Sequence, residues 1–205
     1  EPVAWTSRVA VPGASLAVSV RGDDPALPIL LVIHGGPGFA MIDLLHTRTP
    51  ALEHDFVVVS YDQRGAGLSA AADLDLRSMT LARFVDDADA VRAAVLAHLG
   101  RPDDDRAVYV LGHSMGTMIG LELVQRAPAR YAGYIGVGQV VQVAANEQGS
   151  FDFALAQARR AGHREAIAAL TCVGRPTDDL AYPGPTDDDC DEDADGFDVT
   201  NQWLG

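Results

Sequence analysis

The run Gly112-His113-Ser114-Met115-Gly116 has the residue types and spacing for covalent catalysis by a serine hydroxyl. It stands between an apolar run at 107–111 and a helix-forming run at 115–126, so the spacing predicts a tight strand-to-helix corner. Small residues at both ends let the backbone turn sharply and lift Ser114 clear of a sheet at a helix N-terminus. There the helix dipole and the Met115 N–H would face an oxyanion formed by attack of Ser114 on a carbonyl.

A second run, His34-Gly35-Gly36-Pro37-Gly38, follows the apolar stretch 29–33. Its glycines allow close approach to a bound carbonyl oxygen and offer a second donor, the N–H of Gly36, to complete an oxyanion hole with Met115. A third run, from Asp62 to Ser69, contains Gln63, Arg64, Gly65 and Gly67. Arg64 is expected to pair with Asp62 or Asp86 and to brace the loops, with a substrate contact by Gln63 or Arg64 the lesser alternative.

These residues need a rigid frame. Alternation at 15–21 predicts a half-exposed strand, and the apolar runs 29–33, 56–61, 107–111 and 131–137 predict buried ones. Between them, 80–99 has helical spacing, with Thr80 as its cap and Gly100 and Pro102 as its stop. Strands apolar on both faces, alternating with helices, predict an α/β fold whose mostly parallel sheet is flanked by helices. Beyond Val143 the character changes: 151–170 reads as amphipathic helix and 177–198 is rich in Asp, Pro and Gly. The expected division is a core at 1–143, a helical segment at 144–176 and a flexible acidic segment at 177–205.

Taken in order, the 34–38, 62–69 and 112–116 runs resemble the three signature segments of the prolyl iminopeptidase-like α/β-hydrolases. The resemblance covers about residues 15 to 170, the last part being similar to the start of that family's helical cap. It implies a Ser-His-Asp hydrolase that releases N-terminal residues, often proline, from short peptides; relatives in the same branch hydrolyse other amides, esters or lactones. It also implies a triad acid and His beyond the cap. None of His34, His46, His54, His98, His113 and His163 is placed to be that base. The acid, the His and the last strands of the sheet are therefore expected outside this chain, on a C-terminal segment or a companion chain. A catalytically silent binding module is the rival from another class.

The composition narrows the partners. A net charge of −14, with 15 basic residues that are all Arg, disfavours nucleic acid and anionic membranes. A small peptide, amide or ester remains the expected substrate, and the chemistry requires no cofactor. No apolar run reaches the length of a membrane span. The compartment stays open between cytoplasm and export. Cys172 and Cys190 are too few for a disulfide scaffold. Asp191, Asp193 and Asp195, followed by Gly196, match the start of a calcium loop, but Gln202 stands where its bidentate Glu would be. A solvated acidic linker is the preferred reading there.

Overall fold

The computed structural model describes residues 1–36, 38–103, 105–179, 181–182 and 196–202, with Phe197 described in its backbone only. Pro37, Cys190, Asp191, Asp193 and Asp195, all singled out above, lie outside the described residues. The chain forms two compact units, Glu1–Gln139 and Val140–Gly205.

In the first unit, strands β1 (Val3–Val11), β2 (Ala14–Gly22), β3 (Ile29–Ile33), β4 (Val57–Tyr61), β5 (Val108–His113) and β6 (Gly133–Val137) make one sheet in the order β1-β2-β4-β3-β5-β6. β1 pairs antiparallel with β2, and β2 with β4, while the remaining neighbours are parallel. Alternation along β3 explains the layering. Ile29, Leu31 and Ile33 face a core closed by α2 (Leu81–His98) and α3 (Met115–Arg126). Leu30 and Val32 face the other way, onto Leu45 of α1 (Ile42–Arg48). Helices on both faces keep the central strands dry, and every residue of β3 and β4 is buried.

The sequence misses β1, whose residues alternate between half-buried and exposed and give a weak apolar signal. It expects β2 to be half-exposed, yet Leu16 to Val20 are all buried because α2 covers one face while Ser69 and His46 close over Ala17 and Ser19 on the other. Thr80 caps α2 as expected, its side chain accepting the Arg83 N–H.

β6 is an edge among the described residues, paired only with β5. Its Ile135 and Val137 are 43% and 44% exposed, an apolar edge of the kind that soluble folds usually cover.

In the second unit, the helical run expected at 151–170 is two helices, α4 (Val143–Ala161) and α5 (Arg164–Val173). Gly162 ends α4 in the left-handed region (φ 66°), and His163 starts α5 by accepting the Ala166 N–H on its side chain. Phe151, Ala154 and Ala158 pack on Ala166, Leu170 and Val173. Within the acidic segment expected to be flexible, Gly196–Gln202 is helical (α6), with Thr200 buried. Cys172 of α5 is disulfide-bonded.

Arg64 pairs with neither Asp62 nor Asp86. Its Nε and Nη2 each donate to Asp87 at 2.7 Å, its Nη1 donates to Ser78 Oγ at 3.0 Å, and both charged side chains are buried. One step along α2 rotates a side chain by about 100°. Asp87 therefore faces the sheet, while Asp86 faces outward to Arg126 of α3 at 2.9 Å. Removing one partner of a buried pair strands the other charge. Asp87→Ala should lower the unfolding free energy in urea by about 3–5 kcal/mol, whereas the double change Arg64→Met with Asp87→Leu should cost much less.

Candidate functional site

The strand order places β3 beside β5, and the chain leaves β3 toward β4 but leaves β5 toward β6, so the connections at their carboxyl ends run in opposite directions. A crevice at such a reversal is where open α/β sheets bind ligands. Register makes the juxtaposition specific: Ile33 stands opposite Gly112, so the loop after β3 emerges beside the corner after β5.

Ser114 occupies that corner with φ 51° and ψ −124°, the only positive φ of a described non-glycine residue. Such a conformation costs on the order of 1–3 kcal/mol and persists only where the surroundings impose it. They do so from three sides. The Ser114 N–H donates to the Val137 carbonyl of β6 at 2.9 Å. Its own carbonyl accepts both the N–H (2.8 Å) and the Oγ1 (2.6 Å) of Thr117, which is fully buried in the first turn of α3. Gly116 lies so close under β3 that a side chain there would strike the Ile33 carbonyl oxygen and come within 2.6 Å of that of His34.

The loop after β3 lies against the same corner. A Cβ on Gly35 would sit 2.9 Å from Ser114 Cβ, so the main chain of this loop touches the serine side chain. Gly36 has φ 134°, where a Cβ would approach the Gly38 N to 2.6 Å. Only glycine fits there. Met115 is the first residue of α3, and its N–H has no carbonyl one turn back in the helix to bond.

His34 ties the loop to its neighbour through its side chain, which the motif's glycine spacing does not foretell. Its Nδ1 lies 2.6 Å from the Gly35 carbonyl oxygen, which can only accept, so Nδ1 carries the proton. Its Nε2 then accepts the Gln63 N–H at 2.9 Å, and the Gln63 amide returns a bond to the His34 carbonyl at 2.7 Å. Both residues are almost fully buried, so Gln63 braces the loop and does not present itself to a substrate. Burial pushes the imidazole below its ordinary pKa, opposed in part by the Gly35 bond and the nearby Asp62 charge. The clamp thus uses neutral histidine. In the third run, Asp62 Oδ2 accepts the Leu68 N–H at 2.8 Å and the Asp62 carbonyl accepts Ser69 Oγ at 2.6 Å. Gly65 and Gly67 both take positive φ, 78° and 44°, where the loop turns.

No histidine hydrogen-bonds Ser114 Oγ among the described residues. His54 pairs with Asp23, His98 stacks on Trp5 with centroids 4.2 Å apart, and His163 caps α5. His46 does form a serine–histidine–carboxylate chain, Ser19 Oγ at 2.7 Å from its Nε2 and Glu53 Oε1 at 3.3 Å from its Nδ1. Ser19 is only 4% exposed in the middle of β2, so this chain docks residues 42–54 on the sheet and offers no reachable nucleophile.

The model of the α/β-hydrolase fold matches residues 28–170. The chain belongs to the α/β-hydrolase fold family. It is 33% identical over 139 residues to a probable aminopeptidase of Bacillus subtilis, covering 68% of this chain and 42% of that protein. It is 37% identical over 90 residues to a proline iminopeptidase of Heyndrickxia coagulans, covering 44% and 27%. Among solved structures it resembles a proline iminopeptidase-related protein of Thermus thermophilus, with a TM-score of 0.62, 30% identity and coverage of 74% and 50%. The chain thus spans less than half the length of these two curated relatives. Among the described residues no helix is long and apolar enough to cross a membrane.

Two outcomes follow from this geometry. Gly116→Ala should destabilise the fold by about 1–3 kcal/mol, read as a lower urea midpoint, because the carbonyls it strikes belong to the backbone. Because the folded state holds His34 neutral, the unfolded chain takes up its proton first, near pH 6.5. The His34 contribution to stability is present above that pH and declines as the pH falls. Urea midpoints compared between pH 7.5 and 5.5 should drop more for the wild type than for His34→Gln; equal drops would contradict the clamp.

Proposed function

We propose that the chain carries the nucleophile half of a serine hydrolase. Ser114 attacks a substrate carbonyl, and the N–H groups of Met115 and Gly36 stabilise the tetrahedral oxyanion. The observation that carries this reading is the positive φ of Ser114 at the β5–α3 corner with Gly35 packed against its side chain. A non-glycine residue is held in such a conformation where function needs its side chain raised from the sheet. Pre-aimed backbone donors then cost no reorganisation when charge develops on the oxygen.

The activation of Ser114 comes from a histidine and an acid outside this chain, on a C-terminal segment or a companion chain. Two observations support this. No described histidine reaches Ser114, and the apolar edge of β6 has a free side onto which further strands would pair. The substrate reading follows the relatives. A probable aminopeptidase and a proline iminopeptidase favour release of an N-terminal residue, proline or similar, from short peptides. The esterase or lactonase alternative is separated by comparing proline arylamide with simple aryl esters.

A fluorophosphonate probe tests the nucleophile. With the downstream strands supplied, mass spectrometry should find label on Ser114 and none in Ser114→Ala. The 205-residue chain alone should turn over substrate roughly a millionfold more slowly than the completed protein, the usual cost of losing the base. Label at another serine, or none in the completed protein, would favour a silent binding module.

A further inference from the structure

A cleft of about 440 Å³ opens between α2 and the end of α3, and its two walls carry opposite charge. On the α2 side stand Asp86 and Asp89, three residues apart and so on one face of that helix. On the other side stand Arg126, the last residue of α3, and Arg130. Between the walls the lining is apolar, made by Val85, Leu123, Ala127 and the ring of Tyr131. Val85, Leu123 and Tyr131 are buried, so they form the floor and the four charged groups form the rim.

The charged rim is within reach of a ligand. The four side chains are 40–56% exposed, and ion pairs this open to water contribute little, so a ligand can take over their contacts at small cost. Each wall also has hydrogen-bonding capacity to spare. Arg130 lies 3.5 Å from Asp89 and 3.4 Å from Asp103, and its guanidinium donates no hydrogen bond among the described residues. Arg126 donates Nε to Glu122 and Nη1 to Asp86, which leaves Nη2 unengaged among the described residues. Asp86 accepts that bond at Oδ1 and keeps Oδ2 for another donor. Two acids facing two arginines across an apolar floor suit a molecule that carries both charges and an apolar body. A lone cation would meet the arginine wall and a lone anion the aspartate wall. The volume lies within the roughly 300–1,000 Å³ of small-molecule sites.

We propose that this cleft binds a free α-amino acid with an apolar side chain. Its carboxylate lies on Arg126 and Arg130, its ammonium on Asp86 and Asp89, and its side chain over Leu123 and Tyr131. A planar carboxylate matches the guanidinium fork, which gives the arginine wall its selectivity. The cleft stands at the end of α3 remote from Ser114, a helix of 12 residues and so about 18 Å long. It is a second site, separate from the corner where a carbonyl would be attacked, and it does not rest on the reading of Ser114.

The test is a titration of the 205-residue chain with L-leucine, followed by backbone amide resonances. Two controls each lose one charge: N-acetyl-L-leucine lacks the ammonium and L-leucinamide lacks the carboxylate. L-Leucine should shift resonances at 85–89 and 123–131 saturably, and each control should bind roughly tenfold more weakly or worse, as expected on losing a charged hydrogen bond. Arg130→Gln should weaken L-leucine about tenfold and leave the weak binding of L-leucinamide unchanged. Should that variant fail to fold, Asp86→Asn on the exposed face of α2 should weaken L-leucine likewise and leave N-acetyl-L-leucine unchanged. Equal binding of the three compounds, shifts confined to other residues, no saturable shift, or an equal loss for L-leucine and L-leucinamide in Arg130→Gln would overturn the proposal. Ser114 takes no part in the readout, so a negative result leaves the nucleophile reading intact.

Discussion

The arrangement depends on one close backbone contact. Gly116, at the start of α3, lies directly beneath the carbonyl oxygens of Ile33 and His34 at the end of β3. That contact holds the helix hard against the neighbouring strand, so the chain has no room to leave β5 by a relaxed turn. Ser114 takes up the deficit as a left-handed residue. The same closeness brings the Gly35 main chain onto the serine side chain. Strain at one residue, proximity of two loops and exposure of the α3 N-terminus are three results of a single packing constraint.

The constraint would be worth little if the loops could drift. The loop after β3 is fixed to the loop after β4 by the paired bonds between His34 and Gln63. That second loop is anchored in turn by the Arg64–Asp87 pair under α2 and by Asp62 to Leu68 and Ser69. The linkage runs from α2 through two loops to the corner at Ser114, and its members are buried and largely hydrogen-bonded to one another. Each tightens the next because a polar group in so dry a place cannot exchange its partner for water.

Much of this frame is legible in the sequence. Apolar runs with turn residues between them give β3 to β6 and the helices α2 and α3, and Thr80 is readable as a cap because its oxygen and the helix start fall at the right offset. The corner at Ser114 is legible because glycines flank it between a strand and a helix. Other features are not. Residues 15–21 alternate in type, yet the strand is buried on both faces, because α2 covers Leu16, Val18 and Val20 while His46 and Ser69 close over Ser19 and Ala17, contacts distant in sequence that local pattern does not record. The sequence offers Asp62 and Asp86 as partners for Arg64, but which of the adjacent Asp86 and Asp87 faces the sheet depends on the rotational setting of α2. The break at Gly162 was hidden by an Ala- and Arg-rich composition that suits helix on either side. The His34 side chain lay within a motif read for its backbone, and only the fold brings Gln63 to it.

The central claim is that Ser114 Oγ and the N–H groups of Met115 and Gly36 converge on one point. A crystal structure with a phenylboronic acid bound tests it directly. The account predicts boron bonded to Ser114 Oγ and one boronate oxygen about 2.7–3.1 Å from both backbone nitrogens. A boronate bonded elsewhere, or one bonded to Ser114 with its oxygens turned away from those two N–H groups, would contradict it.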